Sequence, residues 1–123
     1  MVLCHDALSQ KHDYMWIISR DRNSNVPGSD GFIMDFNEEP VEIYYINNNM
    51  NIQRTNASIC DTSGELLFYT NGIFISNAAH EPLYNGGGLN PGQYTSDFED
   101  TGLPIVQGAL FLPFPEKDSL YIL

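Results

Sequence analysis

The chain has 123 residues, with 16 acidic side chains against 5 basic ones, a formal net charge of -11 and a pI near 4.2. That balance repels phosphate backbones, so a nucleic-acid-binding role is excluded, and it disfavours an anionic membrane surface. The length suffices for one ordinary domain, and no apolar run approaches what a bilayer crossing needs, so no membrane insertion is expected.

Residues 1 to 12 lack the basic start and apolar core of a secretory signal, yet Ala7-Leu8-Ser9 resembles the small-residue end of one. They are expected to be a disordered signal-peptide remnant, with the folded part spanning residues 13 to 123. Cys4 and Cys60 make neither a disulfide framework nor a metal cluster. Cys60 reads as a small buried apolar side chain.

Tyr14 to Ser19 is an aromatic and β-branched run that predicts a first strand. Asp21 to Gly31 is turn-forming throughout and predicts a surface loop. Gly31 to Phe36 predicts a second strand. Val41 to Ile46 reads as strand or one turn of helix, with strand favoured for Ile43, Tyr44 and Tyr45. Asn47 to Asn56 carries five asparagines around Met50 and Ile52, a polar connection or an irregular strand. No apolar 3.6 periodicity runs through two turns anywhere, so no helix is expected.

Ala57 to Leu83 is the most informative stretch. Asp61-Thr62-Ser63-Gly64 suits a type I turn followed by a left-handed glycine. Asn71-Gly72 predicts a two-residue hairpin loop with positive φ at both positions, pairing Leu66 to Thr70 with Ile73 to Asn77. Simple alternation sets Leu66 and Phe68 on one face and Leu67 and Tyr69 on the other. Both faces are apolar, so this three-stranded meander must be covered on both sides. A small antiparallel sheet between two neighbours describes a propeller blade; a sandwich sheet more often has one polar face.

Asn85 to Gly92 is glycine-rich loop, continued to Pro104. Ala109 to Leu112 and Leu120 to Ile122 then predict a hairpin around Pro113 to Ser119, opening the next blade. Closure of a propeller takes at least about four blades of roughly 40 residues each. The expected fold is therefore all-β: antiparallel meanders forming the first blades of an incomplete β-propeller. The apolar end at Leu120 to Leu123 reads as a truncated reading frame.

Trp16-Ile17, Met34-Asp35-Phe36, Ala57 to Asp61, Gly64 with Leu66 to Gly72, Asn85-Gly86, Gln107-Gly108, Leu112-Pro113, Pro115 and Asp118 to Tyr121 together carry a resemblance. The chain resembles the N-terminal part of secreted β-propeller proteins of Bacteroidota-type bacteria, many of which end in a type IX secretion sorting domain. The run Leu66 to Gly72 with its preceding turn is its most specific part. The resemblance implies a β-propeller, export, and residence outside the cell or on its surface; it implies no catalytic residues.

Two loops hold oxygen ligands that point weakly to calcium. Asp21, Asn23 and Asn25 have the spacing that opens a calcium loop, but Val26 stands where an EF-hand needs glycine and no acidic residue falls at the twelfth position. Asp97, Glu99 and Asp100 are clustered as a solvated loop would cluster them. His5, His12 and His80 are isolated, with neither paired metal spacing nor a nucleophile motif beside them. No catalytic residue and no cofactor is assigned, and Asn56-Ala57-Ser58 matches the glycosylation sequon by chance.

The expected function is non-catalytic: a fragment of an exported propeller whose parent serves surface binding or scaffolding, with the missing blades as its partners and a protein or glycan as its ligand. Two other classes remain, a propeller hydrolase or lyase with its catalytic groups in other blades, and the sensory propeller of a membrane receptor. Fold alone does not choose among them.

Overall fold

The computed structural model describes residues 10–19 and 31–123. Among them eight strands form three separate antiparallel sheets. The first contains β1 (Met15–Ile18), β2 (Phe32–Asp35) and β3 (Glu42–Tyr45); the second contains β4 (Ala57–Cys60), β5 (Leu66–Thr70) and β6 (Ile75–Asn77); the third pairs β7 (Leu112–Phe114) with β8 (Lys117–Ile122). Every paired strand follows its partner directly in sequence, so each sheet is a meander, as the spacing of turn residues predicts. One short helix, α1 (Gln93–Asp97), was not expected. At five residues it is too short to show a period.

The core lies between the first two sheets. Register opposes Ile17 to Ile33 and Met15 to Asp35, which turns Met15, Ile17 and Ile33 to one face. There they pack with Cys60, Leu66 and Tyr69 of the second sheet and with Ile46, Met50 and Ile52 of the connection. Tyr69 is wholly buried, and removing a side chain of that size from water contributes about 2–3 kcal/mol.

The asparagine-rich connection is partly interior. Asn48, Asn51 and Thr55 are buried beside its apolar residues. Its backbone pairs with no strand ladder, so side chains supply partners instead. Asn48 Oδ1 accepts from the Met50 N–H at 2.9 Å, Ser19 Oγ donates to the Met50 carbonyl at 2.8 Å, and Asn71 Nδ2 donates to the Asn51 carbonyl at 2.9 Å.

The turn at Asp61 forms as expected. The Gly64 N–H donates to the Asp61 carbonyl at 3.1 Å and Gly64 has φ 96°. Asp61 Oδ1 accepts from the Ser63 hydroxyl and from the N–H groups of Ser63 and Glu65. These bonds, the Ser63 hydroxyl foremost, hold the carboxyl below its usual range.

Three local expectations are corrected. A bulge between Ile59 and Cys60 opposes Ile59 to Phe68 but Cys60 to Leu66, leaving Leu67 as the extra residue. Leu66 and Tyr69 therefore share the face toward the first sheet, and the simple alternation fails. Phe68 turns the other way, half-buried, with its ring 6.1 Å from Tyr121 in β8.

The second correction concerns Asn71-Gly72. Only Gly72 has positive φ, at 85°, and Thr70 pairs with Ile75, so the loop holds four residues. Asn71 Oδ1 accepts from the N–H groups of Ile73 and Phe74 at 3.0 and 3.4 Å, an Asx-type turn in place of the mirror-image one.

The third sheet also shifts. Its turn falls at Pro115 and Glu116, with Glu116 at φ 62°, rather than over Pro113 to Ser119. Residues 109–111 lead into β7 without joining it.

Candidate functional site

The first strands of the first two sheets meet edge to face. Asn56 Nδ2 donates to the Ile17 carbonyl at 2.7 Å, Ser58 Oγ donates to the Met15 carbonyl at 3.0 Å, and the Cys60 N–H donates to the His12 carbonyl at 2.8 Å. Numbers rise along β4 as they fall along β1, so the two strands run in opposite directions. Alternate residues of β4 thus satisfy the outward carbonyls of β1. His12 adds a contact of 2.6 Å between its Nδ1 and the Cys60 carbonyl, and its ring lies edge-on to Tyr121 at 6.2 Å.

Beside this junction opens a groove of about 720 Å³. β1 contributes Trp16 and Ile18 to it, β4 and its approach contribute Arg54 and Asn56, and the segment before β7 contributes Gln107 and Leu110. Leu103 and Ile105 anchor that last segment: the Thr55 N–H donates to the Leu103 carbonyl at 3.0 Å and Thr55 Oγ1 donates to the Ile105 carbonyl at 2.7 Å. Trp16 is 52 % exposed, yet its ring is held. Its indole N–H donates to the Asp13 carbonyl at 2.9 Å, and Phe36 packs against it at 5.1 Å.

The outer faces of the first and third sheets are apolar and open. Register aligns Trp16 with Met34 and Ile43, and Ile18 with Phe32 and Tyr45. All six point away from the second sheet, and Ile43 and Tyr45 are 57 % and 73 % exposed. On the third sheet Tyr121 faces Phe68, so Leu120 and Ile122 face outward beside Leu112, all three exposed. The second sheet is covered on both faces. Beyond β6 the chain returns along the free edge: the Asn77 N–H donates to the Glu81 carbonyl, Leu83 to Ile75, and Ile75 to Gly86, with one isolated bridge between Ser76 and Pro82.

Of the calcium candidates, Asp21, Asn23 and Asn25 lie outside the described residues. Asp97 ends α1 and accepts from Gln93 Nε2 at 2.9 Å. Glu99 and Asp100 border a separate hollow with Phe74 and Gly88, and the Asp100 carbonyl accepts from Asn51 Nδ2 at 2.6 Å. Among the described residues no three acidic, histidine or cysteine side chains come together as a metal would need. Cys60 is buried, and burial pushes its thiol up to about 11, which keeps it protonated and unreactive at neutral pH. His80, at φ 63°, places Nδ1 3.2 Å from the Tyr69 hydroxyl; burial lowers its pKa.

Sequence reasoning missed the groove because its walls come from three segments of the chain. Trp16 and Gln107-Gly108 were singled out, but nothing local joins them to Arg54.

These features define an all-β chain of three small, stacked antiparallel sheets. No protein-family model, no curated protein and no solved structure matches it.

Proposed function

We propose that the chain is the opening part of an exported β-propeller, and that its parent binds or scaffolds at the cell surface without catalysing a reaction. The open apolar faces at both ends of the stack carry this reading. Contiguous apolar patches of that kind mark surfaces that a partner covers, and here the natural covers are further sheets of the same polypeptide. The return segment beside β6 supports it too, since it bonds to the edge where the fourth strand of a blade would lie. Export and surface residence rest on the resemblance carried by Leu66 to Gly72 and its neighbours.

The first sheet departs from a regular repeat. Successive four-stranded blades start with parallel strands, whereas β1 and β4 are opposed. In a closed ring the first sheet is then the irregular unit at the junction.

Light scattering and thermal melts of the 123-residue chain, and of a longer chain read from the flanking coding sequence, test the proposal. The shorter chain is expected to self-associate, Ile43→Lys with Ile122→Lys to suppress this, and the longer chain to be monomeric. A monomeric mass and a concentration-independent melt for the shorter chain would overturn it in favour of a compact sandwich that closes its own core.

A further inference from the structure

We infer that the groove beside β1 and β4 is a binding site for a small ligand that carries a carboxylate on an apolar, preferably aromatic, body. Its volume of about 720 Å³ lies in the usual small-molecule range of roughly 300–1,000 Å³. Its walls are mainly apolar, with a few convergent polar groups, as such sites require.

Charge selects the ligand. Among the described residues Arg54 is the one charged side chain lining the groove, in a chain where carboxylates outnumber cations 16 to 5. Even so, no carboxylate among the described residues pairs with it. A guanidinium presents a planar fork of donors that matches a carboxylate two bonds at a time. Net negative charge elsewhere repels free anions, so charge alone does not fill the site; the apolar body must contribute. Trp16 provides for that body. With its N–H engaged by the Asp13 carbonyl and its ring braced by Phe36, the indole is a pre-set surface that loses little freedom on binding. Across the groove Gln107 sits at φ 54°, and its amide has no partner among the described residues. It is placed to bond a polar substituent. Asn56 spends its Nδ2 on the Ile17 carbonyl, which leaves its Oδ1 as a second acceptor for a donor on the ligand.

Trp16 and Ile18 border both the groove and the open face of the first sheet, so the test is run where that face does not self-associate. Trp16 is the sole tryptophan, so with Ile43→Lys and Ile122→Lys in place to suppress self-association its emission follows a ligand in the groove. The whole chain, at micromolar concentration, is titrated with 3-phenylpropionate, with the neutral 3-phenylpropionamide, and with acetate. The acid is expected to change the emission saturably and to bind at least about tenfold more tightly than the amide or acetate, the advantage of a charge-assisted bond. Arg54→Gln, at an exposed position, is expected to abolish the preference for acid over amide while leaving the melting temperature unchanged. Equal binding of acid and amide by the parent chain overturns the inference. So does an Arg54→Gln chain that still prefers the acid, or an emission change that never saturates.

Discussion

Asn71 offers the sharpest test of the second sheet. It is 1 % exposed, and three backbone groups depend on it: the N–H groups of Ile73 and Phe74, and the Asn51 carbonyl. Phe74 is half-buried and its bond is long, so two of the three matter most. Asn71→Ala leaves the Ile73 N–H and the Asn51 carbonyl without these partners in a dry site. Each buried group left unsatisfied costs about 1–3 kcal/mol, so for two groups the loss is about 2–6 kcal/mol. Asn71→Gly separates this geometry from the two-residue hairpin. In a mirror-image turn glycine fits the positive φ at that position and costs little, whereas here it destabilises as much as alanine or more. Urea unfolding of the three chains supplies the midpoints, and amide exchange at Ile73 reports the bond directly. If Asn71→Gly unfolds within about 0.5 kcal/mol of the parent, the Asx-turn account is wrong.

Phe68→Ala is expected to cost about 1.5–3 kcal/mol, below the figure for a fully buried aromatic, because Phe68 is half-buried and contacts Tyr121 on one side; a midpoint shift as large as that of Tyr69→Ala would contradict this. Burial lowers the pKa of His80 in the fold, so the unfolded chain takes up the proton first. Stability is therefore full above the unfolded value near 6.5 and falls as pH drops from there toward the folded value. His80→Gln should flatten that part of the melting profile, and an unchanged slope would show that another group sets it.

Local chemistry made some of this legible and distance hid the rest. The Asp61 to Gly64 turn is read directly because every bond that the Asp61 side chain accepts comes from within four residues. Asn71-Gly72 marks the right place for the wrong reason, since the orientation of Asn71 is set by Asn51, 20 positions away. The extra residue at Leu67 has no sequence signature. Alternation assumes an unbroken ladder, and a bulge reverses its phase from that point on. The asparagines at 47 to 56 look like solvent-facing polarity, but two, Asn48 and Asn51, are buried and bond irregular backbone. In the groove, Arg54 and Trp16 meet only because β4 lies on the edge of β1.

That edge has a consequence for how the molecule can be divided. The carbonyls of Met15 and Ile17 take their bonds from Ser58 and Asn56, and Met50 takes one from Ser19, so neither sheet is self-sufficient. A hinge between them has nowhere to sit, and a cleavage or recombination point between residues 46 and 56 would leave both pieces with buried groups unmatched. The two sheets form a single inheritable block. Duplication or shuffling that respects stability has to copy them together, even though each is a meander of its own.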